Sequence, residues 1–420
     1  MPKIACLDVG STWTKGALVS AAGDLLATAQ HATTPPEVLD GVGAVLSTLG
    51  DADEILACSS AGGGLRLAVV GQERLISSEA GHRVALSAGA KVVHVSAGRL
   101  DGTGIRALRA AEPDVVLLVG GTDGGDEKTL LHNATALARN RLKPPIVLAG
   151  NKHAQPAALE ILHGRTVVQT GNVLPDVGEL APGPARAAIR QVFLNHVIGG
   201  KGLSRGPRFR QLVRAVTPDA VLAGVSLLAG EDAVLVVDVG GATTDVYSAV
   251  STADEEVRAV ALPADRRTVE GDIGMRWSAR GIVAEASAER LDAAGLDEAA
   301  DRRAQDVDFV PRTPEESAVD LRLASLAAIL AVRRHLRLVE GKLGPRGAGL
   351  LVLSGGVFRH AADISPVLGA LRQDPLLRPA IKHARIVVDR DYVLAPAGLL
   401  AEDGRVATAR RLLDTIGYQR

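Results

Sequence analysis

Three segments of this 420-residue chain place acidic, hydroxyl and glycine residues at the ends of apolar runs. The first is Leu7-Asp8-Val9-Gly10-Ser11-Thr12-Trp13-Thr14-Lys15-Gly16. Asp8 ends a strand-like run and is placed for Mg²⁺, through water, because that ion keeps much of its hydration shell and uses few carboxylates. Gly10 permits close backbone approach, and the amides and hydroxyls of Ser11 and Thr12 can bond phosphate oxygens. Lys15 can neutralise phosphate charge as a compact cation. A hairpin turn explains this segment alone equally well, since Asp-x-Gly favours turns. The second segment, Val236-Val237-Asp238-Val239-Gly240-Gly241-Ala242-Thr243-Thr244-Asp245-Val246, repeats the layout. Two such hairpins can pinch the phosphates of one nucleotide from opposite sides, through Gly240, Gly241, Thr243 and Thr244. Asp238 would then complete the Mg²⁺ site or orient an attacking water, the positioning role that phosphoryl transfer demands. The pair is far more specific than either hairpin alone.

The third segment is Leu351-Val352-Leu353-Ser354-Gly355-Gly356-Val357. Small residues after a buried strand let an adenosine lie against backbone at the mouth of the next helix, whose N-terminus favours anions. A plain strand-to-helix loop competes with that reading for Gly355 and Gly356. No Gly-x-x-x-x-Gly-Lys-Ser/Thr motif occurs.

Positioning these segments requires strands alternating with helices, an α/β pattern. Runs at 3–9 and 14–21 flank the first turn, and 24–31 adds a third strand. Between about 50 and 170 come strands at 54–58, 91–96, 114–119 and 145–149, with helices at 76–89, 103–111 and 127–140. Residues 172–230 read as mostly helical and carry a basic stretch at Lys201, Arg205, Arg208, Arg210 and Arg214, a solvated face or a docking patch. Strands at 233–239 and 243–250 repeat the opening device. Residues 280–341 read as helical apart from a looser patch at 305–314, and 350–353 leads to a helix from about 359.

Other polar clusters have two explanations each. Gly120-Gly121-Thr122-Asp123-Gly124-Gly125-Asp126 follows a strand and either binds an anion or turns the chain. Gly62-Gly63-Gly64 reads as a binding loop or a lid. Glu270 or Asp272 can orient water, although a helix N-cap suits Asp272 better. The histidines are scattered without metal-ligand spacing and read as structural or surface groups.

Composition narrows the field further. The length suggests roughly two or three domains. Lys plus Arg number 47 and Asp plus Glu 48, for a net charge of −1, which is poor for nucleic acid or an anionic membrane. Aromatic residues make up only 2%, arguing against base-stacking platforms, while the 46 glycines suit binding through backbone. Cys6 and Cys58 are too few for a disulfide framework or a four-thiolate zinc site. No secretory signal or run of roughly 18 apolar residues is present, so a cytoplasmic location is expected.

Taken together, the three segments resemble the actin-like ATPase superfamily of Hsp70, hexokinase and actin. That resemblance implies a two-lobed actin-like (ribonuclease H-like) α/β fold. Residues 1–230 would form the first lobe, with a βα-rich insertion at about 50–170. Residues 231–420 would form the second, with a helical segment at about 280–341. Further blocks make the resemblance closer: Val119–Asp126, Leu148-Ala149-Gly150-Asn151, Gly171-Asn172-Val173-Leu174-Pro175, Val216-Thr217-Pro218-Asp219 and Glu270-Gly271-Asp272-Ile273-Gly274-Met275-Arg276. Over essentially the whole chain these resemble the glutamate mutase MutL family, unrelated to the mismatch-repair protein of the same name. The resemblance implies an ATP- and magnesium-dependent chaperone or reactivase for an adenosylcobalamin-dependent mutase, with the mutase subunits as partners and a homodimer left open. It carries catalytic roles to Asp8, Lys15 and Asp238, with Asp8 and Asp238 at the metal. Two rivals share the hairpins: a small-molecule kinase with Asp245 or Asp272 as base, and an activator of 2-hydroxyacyl-CoA dehydratases holding an Fe–S cluster through cysteines.

Overall fold

The computed structural model describes residues 2–60, 65–72, 81, 84, 90–193, 207–229, 232–250, 265–339, 341, 343 and 346–418. The chain opens with a meander of β1 (Lys3–Val9), β2 (Trp13–Ser20) and β3 (Leu25–Ala32), followed by β4 (Glu54–Ser59). Five strands come next: β5 (Arg66–Gly71), β6 (Lys91–Ala97), β7 (Val115–Leu118), β8 (Ile146–Leu148) and β9 (Val167–Gln169). Then come β10 (Val213–Val216), a second meander of β11 (Ala233–Val239), β12 (Thr244–Ala249) and β13 (Asp265–Glu270), and finally β14 (Ala348–Ser354) and β15 (Arg385–Val388).

The first sheet has the order β10-β4-β1-β2-β3 and the second β13-β12-β11-β14-β15. In both, an antiparallel meander is extended by two parallel strands beside its first member. This duplication is the two-lobed actin-like α/β architecture. The strands β5 to β9 form a third sheet, β6-β5-β7-β8-β9, that is parallel throughout.

Two expectations at element level change. The strand expected at 54–58, within the segment 50–170, is β4, which pairs with β1 from Ile4↔Glu54 to Val9↔Ser59 and so belongs to the first sheet. The stretch read as mostly helical contains β10, whose four residues Val-Arg-Ala-Val lie between the helices Arg208–Leu212 and Thr217–Leu228 and are too few to show a period. The helix 76–89 lies mainly outside the described residues, as do Gly62-Gly63-Gly64, Lys201 and Arg205. Arg208, Arg210 and Arg214 are exposed, and Arg214 pairs with Asp403 at 3.0 Å.

Strand alternation distributes the cores. Ala5, Leu7 and Val9 pack with Leu67, Val69, Leu117 and Val147, so the third sheet shares a core with the first. The opposite face of β1 and β2, with Ile4, Cys6, Ala17 and Val19, packs toward Val234, Val236, Tyr247 and Val352 of the second sheet. The helices Thr217–Leu228 and Leu394–Glu402 lie in that shared core. They touch backbone to backbone: any side chain at Gly224 would run into the Leu394 carbonyl, and any at Gly398 into that of Ala220. The outer face of the second sheet is covered by the 25-residue helix Pro314–Leu338, started by Pro314 at its first position and by Thr313, whose hydroxyl accepts from the Glu316 amide at 3.2 Å.

Candidate functional site

The alternation that buries Ile4 and Cys6 between the lobes carries Asp8 onto the same face at the end of β1. The same count from Val234 and Val236 puts Asp238 there, and from Leu350 and Val352 it puts Ser354 there. Lys15, opposite Asp8 in the β1–β2 register, stands on the face of Ala17 and Val19. Asp8, Lys15, Asp238 and Ser354 thus converge on one floor between the lobes.

The two turns above this floor match. The Gly10 amide donates to the Trp13 carbonyl at 3.1 Å, and the Gly240 amide donates to the Thr243 carbonyl at 2.9 Å. They also face each other, since a methyl group on Gly241 would lie 3.3 Å from the Thr12 hydroxyl oxygen. Ser11 is exposed, and Thr12, Lys15 and Thr243 are half-buried. Thr243 donates to Asp245 at 3.1 Å. Thr244 differs from the motif reading: it is fully buried, and its hydroxyl has no hydrogen-bond partner. It therefore does not stand beside Thr243 as a phosphate donor.

Asp8 is nearly buried, and both its oxygens are engaged. The Thr217 hydroxyl donates to Oδ1 and the Tyr392 hydroxyl donates to Oδ2 at 2.8 Å, with the Cys58 thiol 3.6 Å from Oδ1. Asp238 is half-buried. Burial pushes its carboxyl above the usual range, opposed first by the Lys15 charge, while Asp245 and Asp8 add to the rise and the Ser354 hydroxyl bond lowers it. The Lys15 ammonium rests 3.5 Å from the centre of the Tyr392 ring. A cavity of about 230 Å³ opens onto Asp8, Lys15, Gln30, Arg359, His360 and Tyr392.

Gly355 has φ +115°, and a side chain there would strike the Val239 carbonyl, so the third motif packs β14 against the turn of the second hairpin. A methyl group at Gly356 would meet nothing within 4 Å. Thr217 and Tyr392 were not identified as site residues from the sequence. Thr217 belongs to the Val216–Asp219 segment, whose residue types assign it no role, and Tyr392 follows β15 with no motif around it.

No cluster of three or more His, Cys, Asp or Glu side chains suited to a metal occurs among the described residues. Two carboxylates on a shared floor fit an Mg²⁺ ion held chiefly by water and phosphate oxygens, which is that ion's habit.

Other polar candidates are taken up structurally. Arg334 binds Glu270 at 2.7 Å, Asp272 at 2.9 Å and Glu285 at 2.5 Å, so both Glu270 and Asp272 are held in one ion-pair cluster. Asp245 is paired with buried Arg267 at 2.7 Å. In the loop 120–126, Asp123 accepts from the Lys152 amide at 2.9 Å and from Asn172 at 3.0 Å, while Asn151 bonds Gly124 and Gly125. Partial burial opposes it, but Lys152 and Asn172 hold Asp123 below its usual range. The glycine-rich loop 120–126 and the Gly150-Asn151 and Gly171-Asn172 blocks thus knot together the ends of β7, β8 and β9. His335 is wholly buried between Ser248 and Thr268, and burial drives its pKa down to about 3.

Comparison with known proteins agrees with this layout in extent. The chain is 34% identical over 440 residues to Protein MutL of Clostridium tetanomorphum, covering 94% of this chain and 95% of that one. Among solved structures, a ROK family glucokinase from Streptomyces griseus in complex with glucose and AMPPNP covers 99% of both chains at 12% identity and TM-score 0.35. A ligand-bound xylulose kinase from Lactobacillus acidophilus covers 98% of this chain and 92% of its own, at 12% identity and TM-score 0.36. Those scores add nothing to what the sheet order already says. The family model described as MutL protein matches residues 4–416, from β1 to the last helix. Both hairpins, the third sheet and the helix pair between the lobes all fall within that match: this chain belongs to the MutL protein family.

Proposed function

We propose that this protein is an ATP-binding and ATP-hydrolysing switch that serves a protein client, an adenosylcobalamin-dependent mutase of the glutamate mutase kind. The observation that carries the nucleotide part is the pair of matched hairpin turns facing each other across one cleft, with Asp8, Lys15 and Asp238 on its floor. Backbone amides and hydroxyls of Ser11, Thr12 and Thr243, with Gly10, Gly240 and Gly241, would hold phosphate oxygens from two sides. Lys15 would neutralise their charge. Gly356, unobstructed at the start of its short helix, leaves room for adenosine beside Gly355. Bound Mg²⁺ would neutralise phosphate charge, with Asp8 and Asp238 holding its water shell. Asp238, the more exposed of the two carboxylates, would orient the attacking water.

The client comes from the family resemblance. Nucleotide bound more tightly by one lobe arrangement than another would shift the lobes and with them the client-facing surface. Work on the client would loosen the mutase so that damaged cobalamin leaves and intact cofactor enters. The βα-rich segment is our candidate for the client-facing part. Because the third sheet shares the core of Ala5, Leu7 and Val9, surface substitutions rather than deletion are the appropriate probe.

A kinase is disfavoured because its candidate bases, Asp245 and Asp272, are bound by Arg267 and Arg334. A cluster-bearing activator is disfavoured because Cys6 and Cys58 are wholly buried within β1 and β4. The test is to give purified protein Mg-ATP without an acceptor and follow ADP and phosphate, with Asp238→Ala as control. Release of both products by the wild type alone supports the switch. Tight binding without turnover, unchanged by added mutase, would refute it.

A further inference from the structure

Tyr392 touches both charged groups of the first hairpin. Its hydroxyl donates to Asp8 Oδ2 at 2.8 Å, and its ring carries the Lys15 ammonium at 3.5 Å, with the Arg359 guanidinium 5.5 Å from the same ring centre. It belongs to the other half of the chain, 384 positions from Asp8. Its backbone is held at φ +55°, an uncommon conformation for an aromatic residue that persists only when surroundings enforce it. The enforcement is visible: Asp389 accepts from the Val393 amide at 2.9 Å, fixing the turn that leads into the helix Leu394–Glu402.

The other hydroxyl on Asp8 belongs to Thr217, the first residue of the helix Thr217–Leu228. Both hydroxyl donors to this carboxylate therefore stand at the beginnings of the two helices that cross between the lobes, where Gly224 meets Leu394 and Gly398 meets Ala220. An ammonium held on an aromatic face has fewer of its three N–H donors, and less freedom of position, to give a phosphate. Likewise, a carboxylate oxygen that accepts from a tyrosine has less to offer a metal-bound water.

We propose that Tyr392 is a positioning residue that competes with the nucleotide for Lys15 and Asp8, and that its displacement transmits phosphate binding to the crossed helices. The proposal rests on the nucleotide reading above and deepens it. Phosphate oxygens draw Lys15 off the ring, the Asp8 carboxylate turns toward metal-bound water, and Tyr392 is freed together with the start of its helix.

The test uses the full chain and magnesium-AMPPNP. Binding is measured by calorimetry, and backbone amide exchange is followed across residues 393–402, for wild type, Tyr392→Phe and Tyr392→Leu. Removing the hydroxyl alone should tighten binding about threefold, and removing ring and hydroxyl about tenfold, as a charge-assisted hydrogen bond and a cation–π contact cease to compete. Wild type should show faster exchange at the start of the helix when nucleotide binds, and Tyr392→Leu should show no nucleotide-dependent change. Equal or weaker binding in Tyr392→Phe overturns the proposal, and so does a wild-type exchange response that persists in Tyr392→Leu. Circular dichroism establishes folding; if the leucine variant does not fold, the phenylalanine variant decides. Failure of wild type to bind the nucleotide at all would instead sink the nucleotide reading, and this proposal with it.

Discussion

Gly241 of the second hairpin faces Thr12 of the first so closely that an added methyl group would lie 3.3 Å from the Thr12 hydroxyl oxygen. The two turns therefore form one mouth, and its width is set by the absence of a side chain at position 241. Gly241→Val should wedge this mouth and weaken Mg-ATP binding by about tenfold or more, the effect of displacing one or two phosphate contacts. Because position 241 is only partly buried, the thermal midpoint should move little. Calorimetric titration beside a melting curve checks both halves, and unchanged affinity would mean the turns do not act on a common ligand.

Asp389 predicts a pH dependence with a definite sign. Burial raises its pKa to about 6, against an ordinary 3.8, with the Val393 and Leu394 amides opposing the rise. The folded chain then holds this proton more tightly than the unfolded chain. Stability from this group is gained as pH falls through about 6 and is complete near the unfolded value of about 4. Asp389→Asn keeps an oxygen acceptor but does not titrate. Relative to that variant, wild type should gain up to about 3 kcal/mol between pH 7 and pH 4. Urea unfolding at several pH values reads the difference, and a constant difference would show that folding leaves the Asp389 pKa unshifted.

The cysteines provide a chemical check on the cluster-bearing rival. Burial pushes Cys6 up to about 12 and Cys58 well above its usual value, the latter reinforced by the Asp8 charge. Thiols so placed are poor nucleophiles and poor cluster ligands. Ellman's reagent should find neither thiol in the folded protein within minutes and both in guanidinium. A fast-reacting native thiol, or visible absorbance after anaerobic purification, would reopen that possibility.

Much of this site was legible because strand alternation is local. Asp8 two residues beyond Cys6, and Asp238 two beyond Val236, must share a face with buried residues, and the matching turns announce a duplicated fold. Lys15 stood out as the one cation of the first motif, and the strand register then sets it opposite Asp8. The partners that set the state of Asp8 were not legible. Thr217 and Tyr392 lie 209 and 384 positions away, and no period or turn signal spans such distances. Thr244 was misplaced for a related reason. Adjacent threonines at a strand start read alike, yet the pleat sends one toward the cleft edge and buries the other. The acidic pair Glu270 and Asp272 looked free because their counter-charge, Arg334, sits on a helix more than sixty positions later.

The crossing of Thr217–Leu228 over Leu394–Glu402 has a mechanical consequence. Where ridges interlock with grooves, one helix turns on another only by lifting a row of side chains over its neighbour. Gly224 and Gly398 instead bring backbone against backbone at the closest approach, with Val221, Val225, Leu399 and Leu400 packed in the same core. The contact leaves no clearance: even the smallest added pad is resisted at once. A single alanine at either glycine would act as a shim, forcing the two helices apart without touching either hairpin turn.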